Sequence, residues 1–155
     1  MIRIRPLGQQ DLPFLAAWMP TSALETVPAD ERHQLDPHAL HEGVQQLLQF
    51  VFSTPALGFS MIAEVGGQPV GYLLCGPNPD GTTSEVQGFL FDILVIPGLR
   101  RRGIGKAMVA QALARFKAAG FRKAKLWGLM QNRPGLGLAA GMGFKPEGLI
   151  GLKRW

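Results

Sequence analysis

The 155-residue chain predicts an α+β fold built around one mixed sheet. Three observations carry that expectation. Segments of period two and segments of helical period follow one another in the order strand, helices, hairpin, long strand, helix, strand, helix, strand. The run EVQGFLFDILVIP carries branched and aromatic residues on both faces, as a central strand covered on both sides must. No repeat, low-complexity tract or linker divides the chain, so residues 1–155 read as one domain, long enough to hide roughly 70% of its unfolded surface.

Each element has a local cause. Residues 2–5 alternate apolar and basic, which gives a short strand with one buried face. Asp11 is placed as an N-cap and Pro13 is tolerated in a first turn, so a helix runs to about Met19, and residues 21–35 read as a polar loop. Asp36 caps a second helix with Pro37 at its first position, and Leu40, Val44, Leu47, Leu48 and Val51 share a face. Gly66 and Gly67 supply the positive φ angles of a hairpin turn. After the central strand ends at Pro97, Ile104, Met108, Ala112 and Phe116 set a helix that Gly120 stops. Residues 123–130 read as a strand, 134–142 as a glycine-weakened helix, and 143–155 as one or two closing strands.

Composition narrows the function. Hydrophobic content of 46% and charged content of 17% belong to a globular chain. No apolar run approaches the ~20 residues that cross a bilayer, and the N-terminal MIRIRPLG lacks the apolar stretch of a signal peptide, which points to the cytoplasm. Cys75 is the one cysteine, so there is no internal disulfide and no multi-cysteine metal site; it reads as a packed strand residue. His38 and His41 read as exposed helix residues with no third ligand, and no metal is expected. The net charge of +5 favours an anionic partner.

Much of that charge surrounds LRRRGIGKAM, where a strand end, a glycine loop and a helix start meet. Unpaired N–H groups and the positive end of the helix dipole favour an anion there. A Walker loop fails because Ile104 stands where lysine is needed, and a dinucleotide fingerprint fails because Met108 holds its third glycine position.

The stretch LVIPGLRRRGIGKAMV resembles the acyl-CoA loop of the GNAT superfamily of N-acyltransferases, with Arg100, Gly103 and Gly105 on the pattern of Arg or Gln, two residues, Gly, any residue, Gly or Ala. IAEVGGQPVGYLLCG is similar to that family's central hairpin and NRPGLGLAAGMGF to its asparagine-to-Gly-Phe segment, and together the three cover residues 61–144. The resemblance implies a mixed sheet splayed between two parallel strands, which end near Val95 and Leu129, with helices on both faces. It implies acetyl-CoA as cosubstrate and an amine acceptor whose identity stays open, and homodimers are common in the family. It places the CoA pyrophosphate on the backbone of Arg101, Arg102, Gly103, Ile104, Gly105 and Lys106, with Arg100 nearby. Pantetheine would pair with the main chain of Ile93, Leu94 and Val95, a strand N–H near Leu94 or Val95 would polarise the thioester, and Asn132 would contact the cofactor.

The acid–base groups are less plain. Asp92, a lone carboxylate among apolar residues of a covered strand, is a candidate general base because burial raises a carboxylate pKa; a hydrogen-bonded structural aspartate is the alternative. Glu85, at the start of the same strand, is a weaker candidate beside simple surface exposure. The resemblance also places Ala139 where many members carry the tyrosine that protonates the departing thiolate, and Tyr72, the only tyrosine, lies far upstream. Two other readings remain open: a non-catalytic acyl-CoA-binding module, which Ala139 permits, and a nucleic-acid-binding domain, against which stands the lack of aromatic residues among the basic ones of the loop. Trp18 and residues 21–35 are candidates for a substrate wall.

Overall fold

The computed structural model describes residues 1–148 and 152–155. Among the described residues five strands form one sheet in the order β1 (Ile2–Pro6), β2 (Met61–Val65), β3 (Gln68–Pro79), β4 (Val86–Val95) and β5 (Ala124–Leu126). The first three pairings are antiparallel and the β4–β5 pairing is parallel, which makes the sheet mixed as expected. Helices α1 (Leu12–Glu25), α2 (Pro37–Ser53) and the short α3 (Ala56–Phe59) precede β2, α4 (Ile104–Ala118) joins β4 to β5, and α5 (Arg133–Gly141) follows. Among the described residues no helix is long and apolar enough to cross a membrane.

The sheet has a core on each face. Leu15 and Met19 of α1 and Val44, Leu48 and Val51 of α2 pack on Ile62, Tyr72, Leu74 and Leu94. On the other face Ile104, Met108, Ala112 and Phe116 of α4 cover Met61, Leu73, Cys75 and Leu90. Each fully buried side chain of this size contributes roughly 1.5–3 kcal/mol. Gly66 and Gly67 make the β2–β3 turn at φ +59° and +77°, and Asp36 caps α2 by accepting the N–H of His38 at 2.9 Å.

Five expectations are corrected. Helix α1 ends at Glu25 instead of Met19: Pro20 forfeits a ladder hydrogen bond, but Leu15, Met19 and Ser22 lie on one buried face and carry the helix on. The span 21–35 is therefore helical in its first part and holds a 3-10 turn, Arg32–Gln34, further on. Asp11 does not cap α1 with its side chain; its carboxylate takes two hydrogen bonds from Arg5, at 2.6 and 2.7 Å, and the N–H of Gly8. Strand β5 is shorter than the run 123–130, and among the described residues of 143–155 there is no strand; residues 149–151 of that expected element lie outside the described residues.

Candidate active site

The short β5 creates the site. Its pairing with β4 ends at Leu90 and Leu126, while β4 continues to Val95 with β3 on one side only. Trp127, Gly128 and Leu129 instead form the far wall of an open slot, closed by Asn132, Leu138, Ala139 and Phe144 and roofed by Ser22 and Glu25.

Strand alternation decides which backbone groups face this slot. Ile96 donates its N–H to Val70 O of β3 at 2.9 Å, so Leu94 also points its N–H and C=O at β3. Ile93 and Val95 turn theirs to the slot. Leu94 is thus corrected as a thioester donor, since its main chain is committed to the sheet and its side chain to the core.

A bulge aims the carboxylate. Leu74 pairs with Asp92 and Cys75 with Leu90, which leaves Phe91 as the extra residue of β4. Phe91 and Asp92 consequently share the α1 face of the sheet. There Asp92 accepts the Ser22 hydroxyl at 2.5 Å and the Tyr72 hydroxyl at 2.7 Å. Burial pushes the Asp92 pKa above the ordinary carboxylate range, the two hydroxyl bonds oppose the shift, and Glu25 adds to it. Asp92 and Phe91, with Thr26 and Trp127, also border a second cleft between α1 and α2, so the carboxylate stands where the two meet.

Sequence reasoning missed Ser22 and Tyr72. Ser22 was legible in principle, because it continues the Leu15 and Met19 face at the next helical spacing. Tyr72 was not, because only the sheet register brings position 72 to position 92. Its phenol is buried and held above its ordinary pKa, chiefly by burial, so it steadies Asp92. Glu85 is removed from consideration: it precedes β4, roughly 20 Å along the strand from Asp92, and pairs with Arg122 at 2.7 and 3.0 Å, which lowers its pKa. Burial pushes the Cys75 thiol up to about 12, which suits a packed residue.

At the Val95 end of the slot lies the arginine loop. A 3-10 turn, Pro97–Leu99, leads to Arg101 at φ +65° and Gly103 at φ +82°, the residue before α4. Among the described residues no main-chain bond takes up the N–H groups of residues 101–106, and alternating left- and right-handed residues gather such groups into an anion-binding concavity. Arg101, Arg102 and Lys106 are exposed around it, whereas the Ile104 side chain is buried in the core. Arg100 does something else: its Nε donates to Val95 O at 2.8 Å and its guanidinium meets Glu25 at 3.1 Å, tying β4 to the end of α1. Gly105 is small for packing, since a Cβ there would stand 3.3 Å from Leu138. Asn132 accepts the Gly135 N–H at 3.1 Å as the cap of α5 while it borders the slot. Among the described residues no group of three or more His, Cys, Asp or Glu could hold a metal ion.

Comparison with known proteins agrees with this architecture. The family model described as Acetyltransferase (GNAT) family matches residues 21–144. An uncharacterized N-acetyltransferase of Methanocaldococcus jannaschii is 30% identical over 95 residues, 61% of this chain and 41% of that protein. N-acetyltransferase family 8 member 3 of Mus musculus is 31% identical over 118 residues, 76% of this chain and 51% of that protein. The chain spans about half, or less, of the length of these curated relatives. Among solved structures, a GCN5-related N-acetyltransferase from Ralstonia eutropha shares the fold at a TM-score of 0.75 and 22% identity, covering 99% of both chains. An aminoglycoside N-acetyltransferase in complex with CoA does so at 0.71 and 20%, covering 100% of this chain and 95% of that one. The mixed sheet parted between two parallel strands and the family model's match to most of the sequence lead to one conclusion: the chain belongs to the acetyltransferase (GNAT) family.

Proposed function

We propose that the protein is an acetyl-CoA-dependent N-acetyltransferase that moves the acetyl group directly to a primary amine. The observation that carries this reading is the position of Asp92, a half-buried carboxylate at the junction of the slot and the second cleft. The N–H groups of residues 101–106 hold the pyrophosphate, with Arg101, Arg102 and Lys106 supplying charge. The slot-facing main chain of Ile93 and Val95 pairs with pantetheine, and Asn132 closes the opposite wall. Acetyl-CoA supplies the acetyl group as an activated thioester.

Asp92 then accepts a proton from the incoming ammonium, which leaves a neutral nitrogen to attack. A slot-facing N–H of Ile93 or Val95 polarises the thioester carbonyl. The N–C bond forms, the C–S bond breaks with its electron pair on sulfur, the acylated nitrogen sheds its second proton to water, the thiolate takes one from water, and Asp92 returns its own to solvent. Ala139 cannot supply that acid, and a thiol with a pKa near ~8.5 leaves with little help.

The test is thiol release from acetyl-CoA at increasing amine concentration. Release that rises with amine and saturates supports direct transfer; release indifferent to amine contradicts it. Ala139→Tyr checks the proton account. The slot reaches Ala139, and with solvent already protonating the thiolate the variant is expected to leave kcat unchanged; a rise of tenfold or more would show that a missing acid limits turnover.

A further inference from the structure

We infer that the acceptor is a primary amine carried on an uncharged, apolar stem of about aromatic-ring size. The inference rests on the transferase reading above and concerns the second cleft, between α1, α2 and the bulge of β4. Its walls are apolar, with Met19 from α1, Leu47 from α2, and Phe91 and Trp127 beside the slot. Asp92 is the only ionisable side chain on them, and neither lysine nor arginine borders the cleft among the described residues. A cationic amine therefore finds a counter-charge where the proton must leave, while a carboxylate or phosphate on the same molecule finds none. A polyhydroxylated polyamine finds too few polar partners, because among the described residues the Thr26 hydroxyl and the Trp127 indole N–H are the only other side-chain hydrogen-bonding groups there.

Two further features point to the same occupant. Trp127 keeps half of its surface exposed at the place where cleft and slot join, and Phe91 borders both, so that junction is aromatic. Gly43 stands within α2, where glycine is the poorest helix former after proline. A Cβ built on it meets nothing within 4 Å, and it borders the cleft. Gly43 is exposed, so its missing side chain leaves the rim of the cleft open, at the expense of helix stability.

The experiment compares thiol release with 2-phenylethylamine, methylamine, phenylalanine, spermidine and kanamycin, alongside calorimetric binding of 2-phenylethylamine to the protein and to Gly43→Leu. The expected result is a kcat/KM for 2-phenylethylamine at least about tenfold above that for each of the others, as an apolar pocket discriminates. Gly43→Leu is expected to melt no lower than the parent, to bind 2-phenylethylamine about tenfold more weakly, and to lose about tenfold of its preference over methylamine. Turnover led by phenylalanine, spermidine, kanamycin or methylamine would overturn the apolar-stem assignment and leave acetyl transfer standing. Binding of 2-phenylethylamine that Gly43→Leu weakens, without thiol release from any amine, would keep the site and overturn the transfer. Neither binding nor release would overturn both, and an unchanged preference in Gly43→Leu would overturn the assignment of this cleft.

Discussion

Asp92→Asn is expected to lower kcat/KM at neutral pH by about 10²–10⁴-fold, the usual worth of a general base, while acetyl-CoA binding is unchanged. The side chain keeps its shape, but its amide nitrogen cannot accept both the Ser22 and the Tyr72 hydroxyls that now converge on the carboxylate. The pH profile gives the sharper readout. Asp92 must be deprotonated to take the ammonium proton, and burial raises its pKa, so activity should climb with pH above the ordinary carboxylate range. Asparagine abolishes that limb. Tyr72→Phe removes a hydrogen bond that favours the charged form, so the limb should shift to higher pH with most of the maximal kcat retained. An Asp92→Asn enzyme with an unaltered rate and profile would return Asp92 to a structural role.

Arg5→Ala should cost about 3–5 kcal/mol of folding stability, the penalty for leaving a buried charge unpaired. Arg5 holds Asp11 through two bonds and Glu64 at 2.6 Å, and both carboxylates are buried. The cluster fastens β1, β2 and the turn before α1. Burial works to raise the Asp11 pKa, but the Arg5 hydrogen bonds and the Gly8 N–H outweigh it and the pKa is lowered. A lowered carboxylate pKa stabilises the fold above its unfolded value near ~3.9 and loses that contribution as pH falls through the folded value. Denaturant titrations should therefore show parent stability declining in acid, and a smaller decline in Arg5→Ala. Arg5→Lys should fall between the two, because an ammonium cannot reproduce the planar fork that serves both carboxylates. Parent-like stability in Arg5→Ala would contradict the assignment.

The two faces of the sheet and the glycine loop that opens α4 were legible because they follow from short-range rules: periodicity, proline and glycine placement, and charge beside a helix start. Asp92 stood out for the same reason, as a lone carboxylate in a covered strand. What stayed hidden depends on register. The bulge at Phe91 shifts the alternation of β4, so it decides that Asp92 looks toward α1 and that Ile93 and Val95, with Leu94 turned away, present their amides to the slot. Pairing across the β2–β3–β4 meander likewise brings Tyr72 to Asp92 from twenty residues away. Pro20 masked the continuation of α1, and with it Ser22. Arg100 and Glu85 found partners, Glu25 and Arg122, that are remote in sequence. The closing strands were expected from composition alone, and composition is weak where no partner strand is specified.

Isothermal titration of the protein with acetyl-CoA and with CoA, repeated on an Arg100→Ala, Gly103→Asp double variant, decides whether the loop before α4 holds the cofactor. Aspartate tolerates the left-handed backbone at position 103, so the variant should fold while it sets a negative charge against the pyrophosphate and removes the Arg100 tie between β4 and the end of α1. The account predicts that the parent binds both ligands and that the variant loses them. No binding by the parent, or equal binding by both, would contradict it and return the arginine loop to a nucleic-acid partner.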